Sequence, residues 1–163
     1  MSAIDLYARA TEGFDGRVAH TVAVLQSAAS EHAGRIVQAT SLGAEDMVIT
    51  DLIARHGLPI AVATLETGKL HLETMALIPR IEQRCGLKVE VYQPAAESVV
   101  HFVNTNGERA MYESLELRKA CCAIRKLEPL ARMLAGSSAW VTGLRREQSD
   151  TRGGVPFSEA DDK

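Results

Sequence analysis

Four short runs of β-forming residues, each separated from the next by a stretch with helical spacing, constrain this chain more than any other feature. They are Arg35–Thr40 (RIVQAT), Ile60–Leu65 (IAVATL), Lys88–Tyr92 (KVEVY) and Ala139–Thr142 (AWVT). Ile60–Leu65 is apolar almost without interruption, the pattern of a parallel strand buried on both faces. Between the runs, apolar residues recur at helical spacing over Arg17–Ser30, with Asp15 expected as its cap, and over Glu45–His56, which stops at Gly57. His71–Cys85 reads as helix ending at Gly86, with Pro79 expected to kink it or to break off its first turns. Pro94 is expected to open a further helix, and Met111–Leu134 reads as helical, with Pro129 starting a new segment. The alternation predicts an α/β fold, a doubly wound, mostly parallel sheet with helices on both faces. A length of 163 residues suits one such domain spanning 1–163.

In sheets of this kind the ligand sits outside the carboxyl ends of the strands. Three loops therefore matter. The first, Ser41–Asp46 (SLGAED), is a small glycine-containing turn leading into a helix. Its candidate residues are Ser41, Gly43, Glu45 and Asp46. Such a turn exposes backbone N–H groups and the positive helix end to phosphate or sulfate oxygens, although it is neither a Walker A nor a G-x-G-x-x-G pattern. An ordinary βα turn with two acidic residues at the helix start is the competing reading. The second loop gathers Leu65, Glu66, Thr67 and Gly68 ahead of Lys69, groups able to hydrogen-bond a ribose or an anion, or merely to form a polar turn. The third, Thr142–Ser149, brings Gly143, Arg145 and Arg146, whose guanidinium groups match sulfate and phosphate geometry.

The charge distribution agrees with a small-anion site. Residues 1–117 hold 9 basic and 15 acidic side chains, whereas residues 118–163 hold 9 basic and 6 acidic ones. A local basic surplus on a chain of net charge −3 suggests a small-anion site more than a nucleic-acid surface, with a solvated basic face as the competing reading. No apolar run approaches the roughly 20 residues of a membrane span, and residues 1–5 lack a secretory pattern, so a cytoplasmic address and no membrane partner are expected.

Three cysteines, two of them adjacent, do not make a secreted disulfide scaffold. Cys121 and Cys122 stand between Arg118–Lys119 and Arg125–Lys126. On a helix adjacent side chains diverge by roughly 100°, yet both can reach one large object such as a cubane cluster. Zinc generally takes cysteines two to four residues apart, which weighs against a simple zinc site. Two small core residues, or redox thiols without metal, are the alternatives. Cys85, ahead of Gly86, reads as a structural thiol.

Four segments in order, SLGAED, LETGKL (65–70), KACCAIRKLEPL (119–130) and WVTGLRREQSDTR (140–152), resemble the assimilatory adenylyl-sulfate and phosphoadenylyl-sulfate reductases, over nearly the whole chain from about residue 15. The resemblance implies an adenine nucleotide α-hydrolase-like fold with a modified pyrophosphate loop at residues 41–46. It places Lys126 near a cluster and the substrate's sulfate, and Arg145 in the anion pocket. Glu66 stands where the family usually has Asp, and Leu72 where it often has Pro. The Cys-Cys pair resembles the iron–sulfur branch, which implies a [4Fe–4S] cluster with Cys121 and Cys122 as two of four ligands. It also implies adenosine 5′-phosphosulfate as substrate, with sulfite and AMP as products and thioredoxin or a similar dithiol as donor; a homo-oligomer is left open. In the family the second cysteine pair and the nucleophilic cysteine lie beyond the position of Lys163. The expectation is thus a C-terminally truncated chain without a catalytic residue of its own, inactive by itself. Reduction of the 3′-phosphorylated substrate and a non-catalytic nucleotide-binding module are the alternatives. A pyrophosphate-loop adenylating enzyme such as an ATP sulfurylase subunit is opposed by the Cys-Cys pair and the third loop.

Overall fold

The structure, a computed structural model, describes residues 12–144 and 153–160. Four strands, β1 (Ile36–Thr40), β2 (Ala61–Leu65), β3 (Val89–Tyr92) and β4 (Ala139–Val141), form one sheet in the order β3-β2-β1-β4. Every pairing is parallel, with Thr40 opposite Thr64, Leu65 opposite Tyr92, and Val37 opposite Trp140. From β1 the chain steps to β2 and β3 on one side, then returns to place β4 on the other. The order therefore reverses between β1 and β4, and the carboxyl ends of these two strands frame a topological switch point.

The two-residue period of the strands divides the core. Ile36 and the nearby Ile60 pack against Val22, Leu25 and Ala29 of α1 (Phe14–Glu31) and Leu52 and Ile53 of α2 (Ala44–Arg55). Val62 and Val89 meet Ile81 of α4 (Leu77–Cys85), which follows the short α3 (Leu72–Met75). Val37 and Ala63 point to the opposite face and pack on Met133 of α7 (Glu128–Leu134). Both faces are thus covered, as the uninterrupted apolar character of Ile60–Leu65 requires. A satellite cluster lies apart, where Phe102 of α5 (Ala96–Asn106) meets Ala110 and Cys121 of α6 (Leu115–Cys122).

The helical boundaries differ from expectation where proline and local capping intervene. Gly13, with φ 72°, takes the N-cap of α1, and Asp15 sits in its first turn, where a carboxylate meets the positive helix end. The stretch 71–85 does lose its first turns, breaking at Ala76 into two helices, and Pro79 falls in the first turn of α4, where its missing N–H has no intrahelical partner to lose. Pro94 stays outside α5, which starts at Ala96 with Ala95 as N-cap.

The stretch 111–134 divides further. A 3₁₀ turn (Ala110–Tyr112) precedes Ser114, whose Oγ accepts the Leu117 N–H at 3.1 Å and starts α6. A π-turn (Ala123–Leu127) then separates α6 from α7, in which Pro129 is the second residue. Ser114→Ala should lower stability by about 1 kcal/mol, the usual worth of such a cap, seen as a lower urea midpoint at unchanged slope.

Candidate functional site

The residues after β1 form a self-bonded turn. Thr40 Oγ1 accepts the Leu42 N–H at 3.0 Å, and Ser41 Oγ accepts the Gly43 N–H at 3.3 Å. Leu42 adopts φ 61°, the one positive φ outside glycine among the described residues. An unbranched-Cβ residue held there costs on the order of 1 kcal/mol or more. The compensation is burial, since its side chain lies with Val62, Ile81 and Val89 in the core. Gly43 is the N-cap of α2 with extended backbone and no side-chain cap, so the amide end of that helix carries no lid from its own cap residue.

Asp46, in the first turn of α2 and only 4% exposed, holds this turn together. Its Oδ2 accepts the Ser41 N–H at 2.7 Å and the Ser41 hydroxyl at 2.5 Å, while Oδ1 accepts the Gly143 N–H at 2.7 Å. The carboxylate is taken up by protein donors and acts as a tie between the loops after β1 and β4, across the switch point. Gly143 fits there only for want of a side chain. A Cβ on it would stand 2.5 Å from Asp46 Oδ1, 2.8 Å from the Asp46 nitrogen and 2.9 Å from the Glu45 carbonyl carbon.

Two residues that sequence reasoning passed over support Asp46 from below. Gln38, fully buried in β1, donates through Nε2 to the Asp46 carbonyl at 2.8 Å. The buried Thr50 hydroxyl lies 2.9 Å from both Gln38 Oε1 and the Asp46 carbonyl. The available signal was a glutamine at the centre of an otherwise apolar strand, since a buried amide needs partners. Thr64, buried in β2, donates to the Thr40 carbonyl at 2.8 Å and fixes the end of β2 to that of β1.

The loop after β2 is held in the same way. The Glu66 N–H donates to the Tyr92 carbonyl at 2.9 Å, and Glu66 Oε1 accepts the Gly68 N–H at 2.6 Å. Thr67 is buried, its Oγ1 accepting the Lys69 N–H at 3.3 Å. Lys69 pairs with Glu108 at 3.3 Å. From the π-turn, Arg125 reaches in and donates from Nη1 to the Thr67 carbonyl at 2.6 Å. Gly68, at φ 71°, leaves room for that guanidinium, because a Cβ there would be 2.9 Å from Nη1.

The cysteine pair ends α6, one turn before Arg125. Cys121 is buried with Phe102 and Ala110, and Cys122 is partly exposed. These are two thiols, half of an all-cysteine cluster set. Among the described residues no group of three or more His, Cys, Asp or Glu side chains comes together to hold a metal, so these residues alone do not make a complete site for a four-ligand cluster. Cys85 packs partly buried beside Leu42 and Val62, as a structural thiol would.

Of the candidates, Ser41, Gly43, Glu45 and Asp46 come together with Gly143 at the β1–β4 switch point. Leu65, Glu66, Thr67 and Gly68 adjoin them at the end of β2, tied through Arg125 to the cysteine-bearing helix. Lys126 is exposed, and Arg145 and Arg146 lie outside the described residues. At the far edge of the sheet, burial and then the hydrogen bond to Glu90 raise the Tyr92 hydroxyl above its ordinary pKa. There too the Arg132 guanidinium holds Glu128 below the usual carboxylate range. The switch point offers a helix amide end and turn glycines, and the adjoining loop after β2 a buried guanidinium, the equipment for binding a phosphate or sulfate group.

Comparison with known proteins identifies the family and the fold. A family model described as the phosphoadenosine phosphosulfate reductase domain matches residues 35–163. The chain is similar to the adenosine 5′-phosphosulfate reductase of Allochromatium vinosum, 52% identical over 126 residues covering 77% of this chain and 49% of that protein. The protein of the same name from Neisseria meningitidis serogroup A is 52% identical over 76% of the chain and 51% of its own length. The Burkholderia cepacia protein of that name is 47% identical over 81% and 53%. The chain thus spans about half the length of these relatives. Among solved structures, the phosphoadenylyl-sulfate reductase of Candida auris, in a phosphate complex, superposes with a TM-score of 0.64 at 21% identity, over 84% of this chain and 70% of that one. That likeness shows the fold, the adenine nucleotide α-hydrolase-like α/β architecture.

Proposed function

Because the chain belongs to the phosphoadenosine phosphosulfate reductase domain family, we propose that it is the nucleotide-holding part of an adenosine 5′-phosphosulfate reductase of sulfate assimilation. The observation that carries the reading is identity near one half, across three quarters of the chain, to proteins of that name. The switch-point loops joined by Asp46 supply a physical basis, since they present amides and a buried cation where a sulfonucleotide's anionic groups would lie.

In the proposed reaction a cysteine thiolate attacks the sulfur of the substrate, and the bond from that sulfur to the bridging oxygen breaks. AMP leaves with the electron pair, and an enzyme thiosulfonate remains. A dithiol such as thioredoxin then attacks the cysteine sulfur, releases sulfite and is itself oxidised to the disulfide. The residues of this chain bind and orient the nucleotide, and their donors offset charge on the departing phosphate. Cys121 and Cys122 are proposed as two ligands of a [4Fe–4S] cluster, with the remaining ligands and the attacking cysteine supplied from outside these 163 residues. Such a cluster would add a redox-capable, charged group beside the substrate.

The protein is placed in the cytoplasm on the same reading, with no nucleic acid or membrane partner. Among the described residues no helix is long and apolar enough to cross a membrane. Calorimetric titration tests the nucleotide assignment. Adenosine 5′-phosphosulfate should bind more tightly than its 3′-phosphorylated form, and the reverse order would favour the phosphoadenylyl-sulfate branch. Supplied with adenosine 5′-phosphosulfate, thioredoxin and a reductant, the purified chain should release no sulfite above the enzyme-free rate. Steady sulfite release would show that one of its own three cysteines is the nucleophile.

A further inference from the structure

Arg125 differs from the cations that form ion pairs among the described residues. Arg55, Lys69 and Arg132 are exposed or half-exposed and each pairs with a carboxylate. Arg125 is 8% exposed and, among the described residues, has no carboxylate within ion-pairing distance. Its one hydrogen bond runs from Nη1 to the Thr67 carbonyl. No fully buried side-chain nitrogen lacks a partner, so Nε and Nη2, which make no hydrogen bond, must touch solvent. The guanidinium is therefore fixed at one corner by backbone and opens its remaining donors at the carboxyl end of β2.

A buried cation without a counter-charge is costly in a closed fold. It is tolerable where an anion completes it, and the planar fork suits a two-oxygen contact with phosphate or sulfate. The surroundings hold the fork in place. Gly68 keeps the space open, as its absent Cβ would lie 2.9 Å from Nη1. The neighbouring carboxylate of Glu66 is turned onto the Gly68 N–H at 2.6 Å. The π-turn at Ala123–Leu127 shifts the phase of the helix where Arg125 projects inward and Lys126 stays exposed.

We infer that Arg125 is an anion-binding residue of the nucleotide site, contacting a phosphate or sulfate oxygen of the ligand through the donors that Thr67 leaves free. The inference rests on the nucleotide reading above and adds to it a specific residue. Loss of a charge-assisted contact of this kind is expected to weaken binding about 10- to 100-fold.

The test is titration of the 163-residue chain with adenosine, AMP and adenosine 5′-phosphosulfate, for the parent, Arg125→Gln and Arg125→Lys. The glutamine variant should lose affinity for one or both anionic ligands by that factor and keep its affinity for adenosine. Arg125→Lys, which keeps the charge but not the fork, should fall between, and it decides the matter if the glutamine variant fails to fold. Parental affinity of the lysine variant, or of both variants, for AMP and adenosine 5′-phosphosulfate would overturn the inference while leaving the nucleotide reading intact. An equal loss for adenosine would also overturn it, by showing a purely structural role. A parent chain that binds none of the three ligands would overturn the nucleotide reading and the role of Arg125 with it.

Discussion

Asp46→Ala is expected to lower the unfolding free energy by about 3 kcal/mol and to bring nucleotide binding below detection. Hydrogen bonds to a charged acceptor contribute about 1.5–3 kcal/mol each. Asp46 accepts three, from the Ser41 N–H, the Ser41 hydroxyl and the Gly143 N–H. They share one carboxylate, so their contributions do not simply add. Alanine would leave two backbone N–H groups in a part-buried crevice without their acceptor, and Leu42 would hold its left-handed conformation with less support. Binding should suffer beyond the stability loss, since the same carboxylate sets the distance between the β1 and β4 loops. Urea unfolding and calorimetric titration measure the two effects separately. A variant that unfolds within about 0.5 kcal/mol of the parent, the range of ordinary surface substitutions, would show that the tie is incidental.

Gly143→Ala should separate the site from the fold. The added methyl would enter space held by Asp46 Oδ1 and by the backbone of Glu45 and Asp46, at 2.5–2.9 Å. The two backbone atoms cannot withdraw as a flexible side chain would, and the Asp46 carboxylate is held by its bonds to Ser41. The loop after β4 must move instead, and the Gly143–Asp46 bond breaks. Overpacking of this kind costs about 1–3 kcal/mol, because β4 is a three-residue edge strand and the sheet can tolerate a shift at its end. Nucleotide affinity is expected to fall by about 100-fold or more, given how steeply misplacement by an ångström affects a positioned site. A folded variant that binds within twofold of the parent would show that the loop after β4 takes no part in the site. Gly68→Ala would press on Arg125 Nη1 at 2.9 Å and loosen its bond to Thr67, while its φ of 71° adds backbone strain.

The sheet was legible because its strands are written locally. A nearly continuous apolar run such as Ile60–Leu65 is satisfied by burial on both faces, and four short β-forming runs at helix-length spacing leave few arrangements other than a parallel α/β sheet. Glycines at 57 and 86 marked helix ends because both take positive φ. Proline was read correctly as punctuation but not always at the right place. Pro79 lies where the first turns of its stretch break off, one of the two outcomes expected of it, whereas Pro94 stays outside the helix it is expected to open. Gln38 stood out only as an amide within a strand, since its partners Thr50 and Asp46 lie on the helix that packs over β1.

The sequence by itself determined the alternation of elements, the loops in which a ligand would sit, and the adjacent cysteines with their basic neighbours. All of these are short-range, encoded by residue type and spacing over a few positions. Only the tertiary structure decided how those loops meet. It turned Asp46 into the tie to Gly143, 97 residues away in sequence, and made the absence of a Cβ at Gly143 a steric requirement. It also distinguished two neighbouring cations, burying Arg125 against Thr67 and leaving Lys126 exposed. That distinction depends on helical phase, which the π-turn resets, and on which face the sheet covers. Neither quantity is carried by any residue alone.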